Sequence, residues 1–238
     1  VVNFLATGIF LGAVRWRIVS RRFLNRLRKR SVATATPPEA GDALRTWLER
    51  GDLRLNVGGG PKNLEGFVNI DFVRYAGVQR QLVANILDLG FVPAGAIAQV
   101  HSNHVIEHLT EEQMMAQLRE YHRILRPGGL LTLRCPNALG VAYGFWFEPI
   151  LETDRDEFIR LGFPADEDLS SPADRWAHKD IFATLHWFLG DMGNVENEHL
   201  TLVTPTRIRW ALESAGFEIL KAADPEALNI VVVARRQP

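Results

Sequence analysis

Short apolar runs separated by glycine-rich turns organise the middle of the chain. Leu53, Leu55 and Val57 alternate with polar residues, and Gly58-Gly59-Gly60-Pro61 follows directly. Alternation at a period of two predicts a strand that the glycines and proline must end. Phe67-Val68-Asn69-Ile70 predicts a second strand, with Asp71 at its C-terminal edge. Residues 81–85 and 97–101 read as a third and a fourth strand, with the turn Val92-Pro93-Ala94-Gly95 between them. The period then changes. Met114, Leu118, Tyr121 and Leu125 form the core-facing stripe of a helix, opened by the capping box Thr110-Glu111-Glu112-Gln113. Pro127-Gly128-Gly129 is expected to end that helix, and Leu130 to begin a fifth strand closed by Pro136-Asn137.

The flanks complete the pattern. Leu44, Trp47 and Leu48 predict a brief helix before the first strand. Thr204-Pro205 is an N-cap with proline at the first helical position, and Ile208, Ala211, Leu212 and Ala215 make the buried face of the helix it opens. Gly216 stops it, and residues 217–221 and 229–234 predict a closing pair of strands. Alternating strands and helices predict an α/β fold with a doubly wound, mostly parallel sheet. Residues 137–200 break the rhythm as an insertion after the fifth strand. They hold Trp146, Trp176, Trp187, His178, His186 and His199, and aromatic insertions at strand ends often serve as lids or substrate walls.

Charge divides the chain in two. Residues 1–38 carry eight arginines and lysines and no acid, which leaves 19 basic against 28 acidic groups, a net charge of −9, in residues 39–238. A core of that sign argues against nucleic acid as a partner, since phosphate contacts need cationic surface. Residues 1–14 are apolar but shorter than the roughly 20 residues of a membrane span. After them Trp16, Val19, Phe23 and Leu27 form one stripe among arginines. That pattern suits a helix lying on an anionic membrane surface; a cleaved, arginine-rich targeting peptide has the same composition. Residues 31–41 read as a linker. The expected organisation is thus a basic segment, 1–38, and one domain, 39–238, with 137–200 on its acceptor side. The single Cys135 allows no intrachain disulfide and no cysteine zinc cluster, which fits a cytoplasmic protein. No metal is expected.

Gly58, Gly59 and Gly60 permit close approach of a ligand to the main chain. In an open parallel sheet the edge they occupy receives nucleotide-like ligands, and a carboxylate such as Asp71 accepts from ribose hydroxyls. A plain turn followed by a solvated aspartate is the alternative.

Three stretches together resemble class I S-adenosylmethionine-dependent methyltransferases: residues 53–72, residues 102–137 with their Arg-Pro-Gly-Gly turn, and residues 199–219. More narrowly, the chain is similar to bacterial members found among cell-surface glycan genes. The resemblance implies a seven-stranded Rossmann-like sheet, S-adenosylmethionine as cofactor, and in-line methyl transfer to a small-molecule or carbohydrate hydroxyl. It implies that Gly58 and Gly60 line the methionine end of the cofactor and that Asp71 holds the ribose. Asn85 stands where the family usually has an aspartate reading the adenine amino group, with Asp88 as the fallback. Asn56 replaces the commoner acid before the loop, and residues 60–67 are short for a crossover helix.

His104, which follows the fourth strand, is expected to face the sulfonium region, as cofactor contact or as acid/base. Glu107 and His108 lie on the adjoining turn, and His199 opens the last block; all three are candidates for proton handling. For Glu107 the competing reading is an acid favoured near a helix N-terminus, and for His104 it is packing. His101, in a strand, and His122, on a helix flank, are expected to do no chemistry. Tyr143, Trp146 and Trp176 either stack on the acceptor or fill the insertion's core. Two other functions stay open. A nicotinamide oxidoreductase shares the glycine loop and distal acid, although Asn63 stands where its third glycine belongs. A catalytically inactive binding module is supported by Asn56 and Asn85.

Overall fold

The computed structural model describes residues 44–49, 53–138, 155–165, 199–226 and 229–238. The described residues form one seven-stranded sheet with order β3-β2-β1-β4-β5-β7-β6. The strands are β1 Arg54–Val57, β2 Phe67–Asp71, β3 Gln81–Val83, β4 Ile97–Asn103, β5 Leu125–Pro136, β6 Phe217–Glu226 and β7 Asn229–Arg236. Strands β1 to β5 run parallel and β7 is antiparallel to both its neighbours. The sequence order reverses between β1 and β4, which is the switch point where ligands of open α/β sheets bind.

The helices follow from local signals. In α1, Glu111–Ile124, the Thr110 hydroxyl accepts from the Gln113 N–H at 3.3 Å while the Gln113 side chain accepts from the Thr110 N–H at 3.0 Å. Such a cap stabilises by about 1 kcal/mol. Met114, Leu118 and Tyr121 are buried on its inner face, and the Tyr121 hydroxyl donates to Ser102 Oγ at 3.2 Å. A short helix α2, Arg155–Arg160, precedes α3, Pro205–Ser214, which Thr204 caps through Arg207 N–H as its sequence predicts. Helix α3 buries Ile208, Ala211 and Leu212 in the same core as α1.

That core lies on one face of the sheet, with Val100 of β4, Leu131, Leu133 and Cys135 of β5, and Ile230, Val232 and Ala234 of β7. The alternate residues Val231 and Val233 face the other way and pack with Phe163. Residues 155–165, part of the sequence-defined insertion, thus cover the second face. His101 is fully buried there, 2.8 Å from Thr132 Oγ1 and edge-on to Phe163. Burial in that arrangement gives it a packing role.

Two boundaries differ from the sequence expectation. Helix α1 ends at Ile124 rather than at Pro127, and Leu125 is already extended, paired with Ile97 of β4. Pro127 disfavours helical geometry at Arg126 before it; the chain leaves the helix at Ile124, and the glycines sit inside an irregular start to β5. Nor does any helix join β1 to β2. Residues 58–66 form turns, with Leu64 buried beneath them, as the short spacing requires.

A glycine cradle and a carboxylate ringed by histidines

The parallel register pairs Asn56 of β1 with Asn69 of β2. Their amides meet under the glycine loop, where a Cβ on Gly59 would collide with both. Asn69 Nδ2 donates to the Gly60 carbonyl at 2.8 Å, and the Gly60 N–H donates to Asp71 Oδ2 at 2.9 Å. Asp71 Oδ1 accepts from Val73 N–H at 3.3 Å. Gly58 and Gly60 hold φ of 69° and 57°, the left-handed region that glycine enters without cost. The loop is therefore fixed from below and bare above, with open space over Gly60.

This cradle leaves polar capacity of the kind a nucleoside-like ligand uses. Each Asp71 oxygen has accepted one backbone N–H and retains capacity for a ribose hydroxyl. The amide of Asn56 is buried with no hydrogen-bond partner for either polar atom among the described residues, which leaves donor and acceptor capacity directly behind the loop. Asn85 follows β3, and its side-chain oxygen accepts from Leu87 N–H at 3.0 Å, an Asx turn. Asp88 lies exposed on that same turn. Asn56, Gly58, Gly60 and Asp71 are thus brought together, and Asn85 and Asp88 form a separate turn after β3. Asn69 was missed by sequence reasoning; its signal is an amide inside an otherwise apolar strand.

The second half of the site lies beyond β4. Val105 backs onto the glycine loop, 2.5 Å from the place a Cβ on Gly58 would take. His104 precedes it at φ 55°, the one non-glycine residue with positive φ among those described. That geometry costs about 1–2 kcal/mol and is held by its N–H donating to the Arg134 carbonyl at 2.9 Å. It turns the imidazole back so that Nδ1 lies 2.9 Å from Glu107 Oε1.

Glu107 sits in the single turn Ile106–His108, 1% exposed. Burial drives its carboxyl pKa upward, but the hydrogen bond from His104 and the charges of His104, His108 and His199 outweigh burial and hold it below the ordinary 4.5. His108 Nε2 is 4.0 Å from Oε1, and the His199 ring stands edge-on to His108 with centroids 5.0 Å apart. The main chain makes the same connection. The Glu107 carbonyl accepts from Leu200 N–H at 2.7 Å and from Thr201 N–H at 3.1 Å, and Thr201 Oγ1 donates to the Leu109 carbonyl at 2.6 Å. Glu107, His199, Pro136 and Thr201 line a small solvent-open cleft. All four proton-handling candidates, His104, Glu107, His108 and His199, therefore belong to one cluster. Tyr143, Trp146, Trp176, Trp187, His178 and His186 lie outside the described residues, as does the basic segment 1–38.

A sequence profile described as a methyltransferase domain matches residues 22–222. The chain belongs to the methyltransferase-domain family. The nicotinamide reading is set aside by that membership, and S-adenosylmethionine is the cofactor of this class I methyltransferase. Solved structures align at lower likeness. The 1,6-didemethyltoxoflavin N1-methyltransferase of Burkholderia thailandensis, with 1,6-didemethyltoxoflavin and S-adenosylhomocysteine bound, shares 15% identity over 96% of this chain and 89% of its own, with a TM-score of 0.47. An S-adenosylmethionine-dependent methyltransferase of Mesorhizobium loti shares 16% over 82% and 98%, at 0.46. A protein described as a putative S-adenosylmethionine-dependent methyltransferase of Listeria monocytogenes shares 12% over 83% and 99%, also at 0.46. No curated protein matches the chain in sequence. No helix among the described residues is long and apolar enough to cross a membrane.

Proposed function

We propose that the methyltransferase alkylates a hydroxyl oxygen of a small-molecule or carbohydrate acceptor, with His104 as the base. The observation that carries this reading is the 2.9 Å contact between His104 Nδ1 and buried Glu107 Oε1. A carboxylate accepting from Nδ1–H sets the tautomer in which Nε2 bears the lone pair. Bound S-adenosylmethionine supplies an electrophilic methyl group on a positively charged sulfur. The chain's part is to hold the acceptor in line at about 3–3.5 Å and to exclude water. As the oxygen forms its bond to the methyl carbon, the electron pair of the carbon–sulfur bond goes to sulfur and the hydroxyl proton goes to His104. Glu107 offsets the imidazolium charge that results. Gly58, Gly60, Asn56 and Asp71 would hold the donor, and Asn85 or Asp88 the adenine.

Residues 137–200 are assigned the choice of acceptor, on the strength of their position after β5 and their aromatic content. A lipid-linked glycan would suit the basic segment 1–30, which we read as a tether to the cytoplasmic face of a membrane.

The test is transfer from a labelled methyl donor to a panel of hydroxyl compounds, with wild type and His104→Ala compared. The proposal expects a methyl ether product and a kcat lowered about 10²–10⁴-fold in the variant, with donor affinity kept. Label on nitrogen or carbon, or an unchanged kcat, overturns it. Donor binding without turnover on any compound supports the inactive binding module instead.

A further inference from the structure

One donor atom each from Glu107, His108 and His199 lies within 4.8 Å of the other two. We propose that these three side chains bind one divalent first-row transition-metal ion on the wall of the cleft that Glu107 and His199 line, contrary to the sequence expectation of no metal. Its binding is independent of the methyl-transfer reading, and only its role rests on that reading.

The first argument is the state of Glu107. Its Oε1 lies 2.9 Å from His104 Nδ1 and 4.0 Å from His108 Nε2, and Oε2 is buried without a hydrogen-bond partner among the described residues. An unsatisfied buried carboxylate oxygen is costly, and a cation removes that cost. The carboxylate lines the cleft together with His199, so an ion has an approach from solvent.

The second argument is the donor set. Two imidazoles and one carboxylate are ligands typical of zinc, iron, manganese or cobalt sites; magnesium and calcium favour all-oxygen sites. Ligand atoms at about 2.1 Å from an ion stand roughly 3–3.5 Å apart. The present spacing therefore has to close by about 1–2 Å, which side-chain rotations of the half-buried His108 and His199 can supply. Three protein ligands leave open positions on the ion for an acceptor oxygen.

The third argument is the support around the ligands. His104 holds Oε1 of Glu107, the kind of outer contact that orients a metal-bound carboxylate. Hydrogen bonds from Leu200 and Thr201 to the Glu107 carbonyl fix the backbone beside His199 relative to the turn that carries the other two ligands. A site built from residues 91 positions apart is thereby held ready before the ion arrives. An acceptor hydroxyl on the ion would ionise more readily, its proton passing to His104.

The full chain, stripped of metal with a chelator, is titrated with Co²⁺ and followed by its visible absorption, while donor affinity is measured separately by calorimetry. Saturation at one equivalent is expected. His108→Ala and His199→Ala should each weaken Co²⁺ binding by at least about tenfold, since even outer-contact losses cost 10–100-fold. Their metal-free secondary structure and donor affinities should stay at wild-type values. Absence of saturable Co²⁺ binding, or wild-type affinity in His199→Ala, overturns the site. Donor binding without Co²⁺ binding refutes the metal alone, and Co²⁺ binding without donor binding refutes only the methyl-transfer reading.

Discussion

The side chain of Val105 occupies the space in which residue 58 would carry a Cβ, with Cγ2 2.5 Å from that position. The glycine loop and the histidine-bearing turn are packed against each other through this pair. Gly58→Ala must meet both the collision and the cost of φ 69°. We expect a loss of about 2–4 kcal/mol in urea unfolding, partly recovered when Val105→Ala is added. Additive effects of the two changes would show that they do not touch.

Asp71 supports the loop by accepting from Gly60 N–H, and in the proposed function it holds the ribose. Asp71→Ala should weaken S-adenosylmethionine by about 1.5–3 kcal/mol through loss of charged hydrogen bonds. Calorimetry on a variant with intact secondary structure checks this. Unchanged affinity removes Asp71 from the site.

Stability should depend on Glu107 in acid. Its folded carboxyl titrates below 4.5, held there by His104 and His108 on its own turn and His199 across from it. The unfolded chain therefore takes up this proton first as pH falls. The stabilisation is complete above the unfolded value and is lost as pH drops through the lower folded one. Glu107→Gln lacks that proton uptake, so its melting temperature should fall less steeply below pH 4.5 than that of wild type. Parallel curves through this window would contradict the assignment.

Much of the fold is legible because its signals are local. The capping box at Thr110, the proline after Thr204 and the short strand-forming runs of β1 and β2 each concern a few neighbouring residues, and all appear as read. The site is legible only in pieces. That Asn56 and Asn69 meet depends on strand register, and that His199 reaches Glu107 depends on how the chain returns after β5. Neither relationship has a sequence period. The early end of α1 was hidden by the helical stripe, which Leu125 continues in sequence after the backbone has become extended.

The basic segment offers a prediction from charge alone. Residues 1–38 hold eight basic groups and no acid, and each near an anionic surface contributes about 1 kcal/mol before screening. The full chain should float with anionic vesicles at low salt, and a chain lacking residues 1–38 should not. Full-length protein left in the soluble fraction at low salt would end the tether proposal.

The left-handed backbone of His104 acts as a filter on what evolution can install there. Glycine, asparagine, aspartate and histidine enter that region most readily, and β-branched residues are shut out. Glycine and asparagine offer no base, and a second carboxylate would repel Glu107. Among the side chains the turn admits, imidazole alone combines proton exchange near neutrality with an N–H for the buried acid. The shape of the main chain thus narrows the chemistry before any substrate is present.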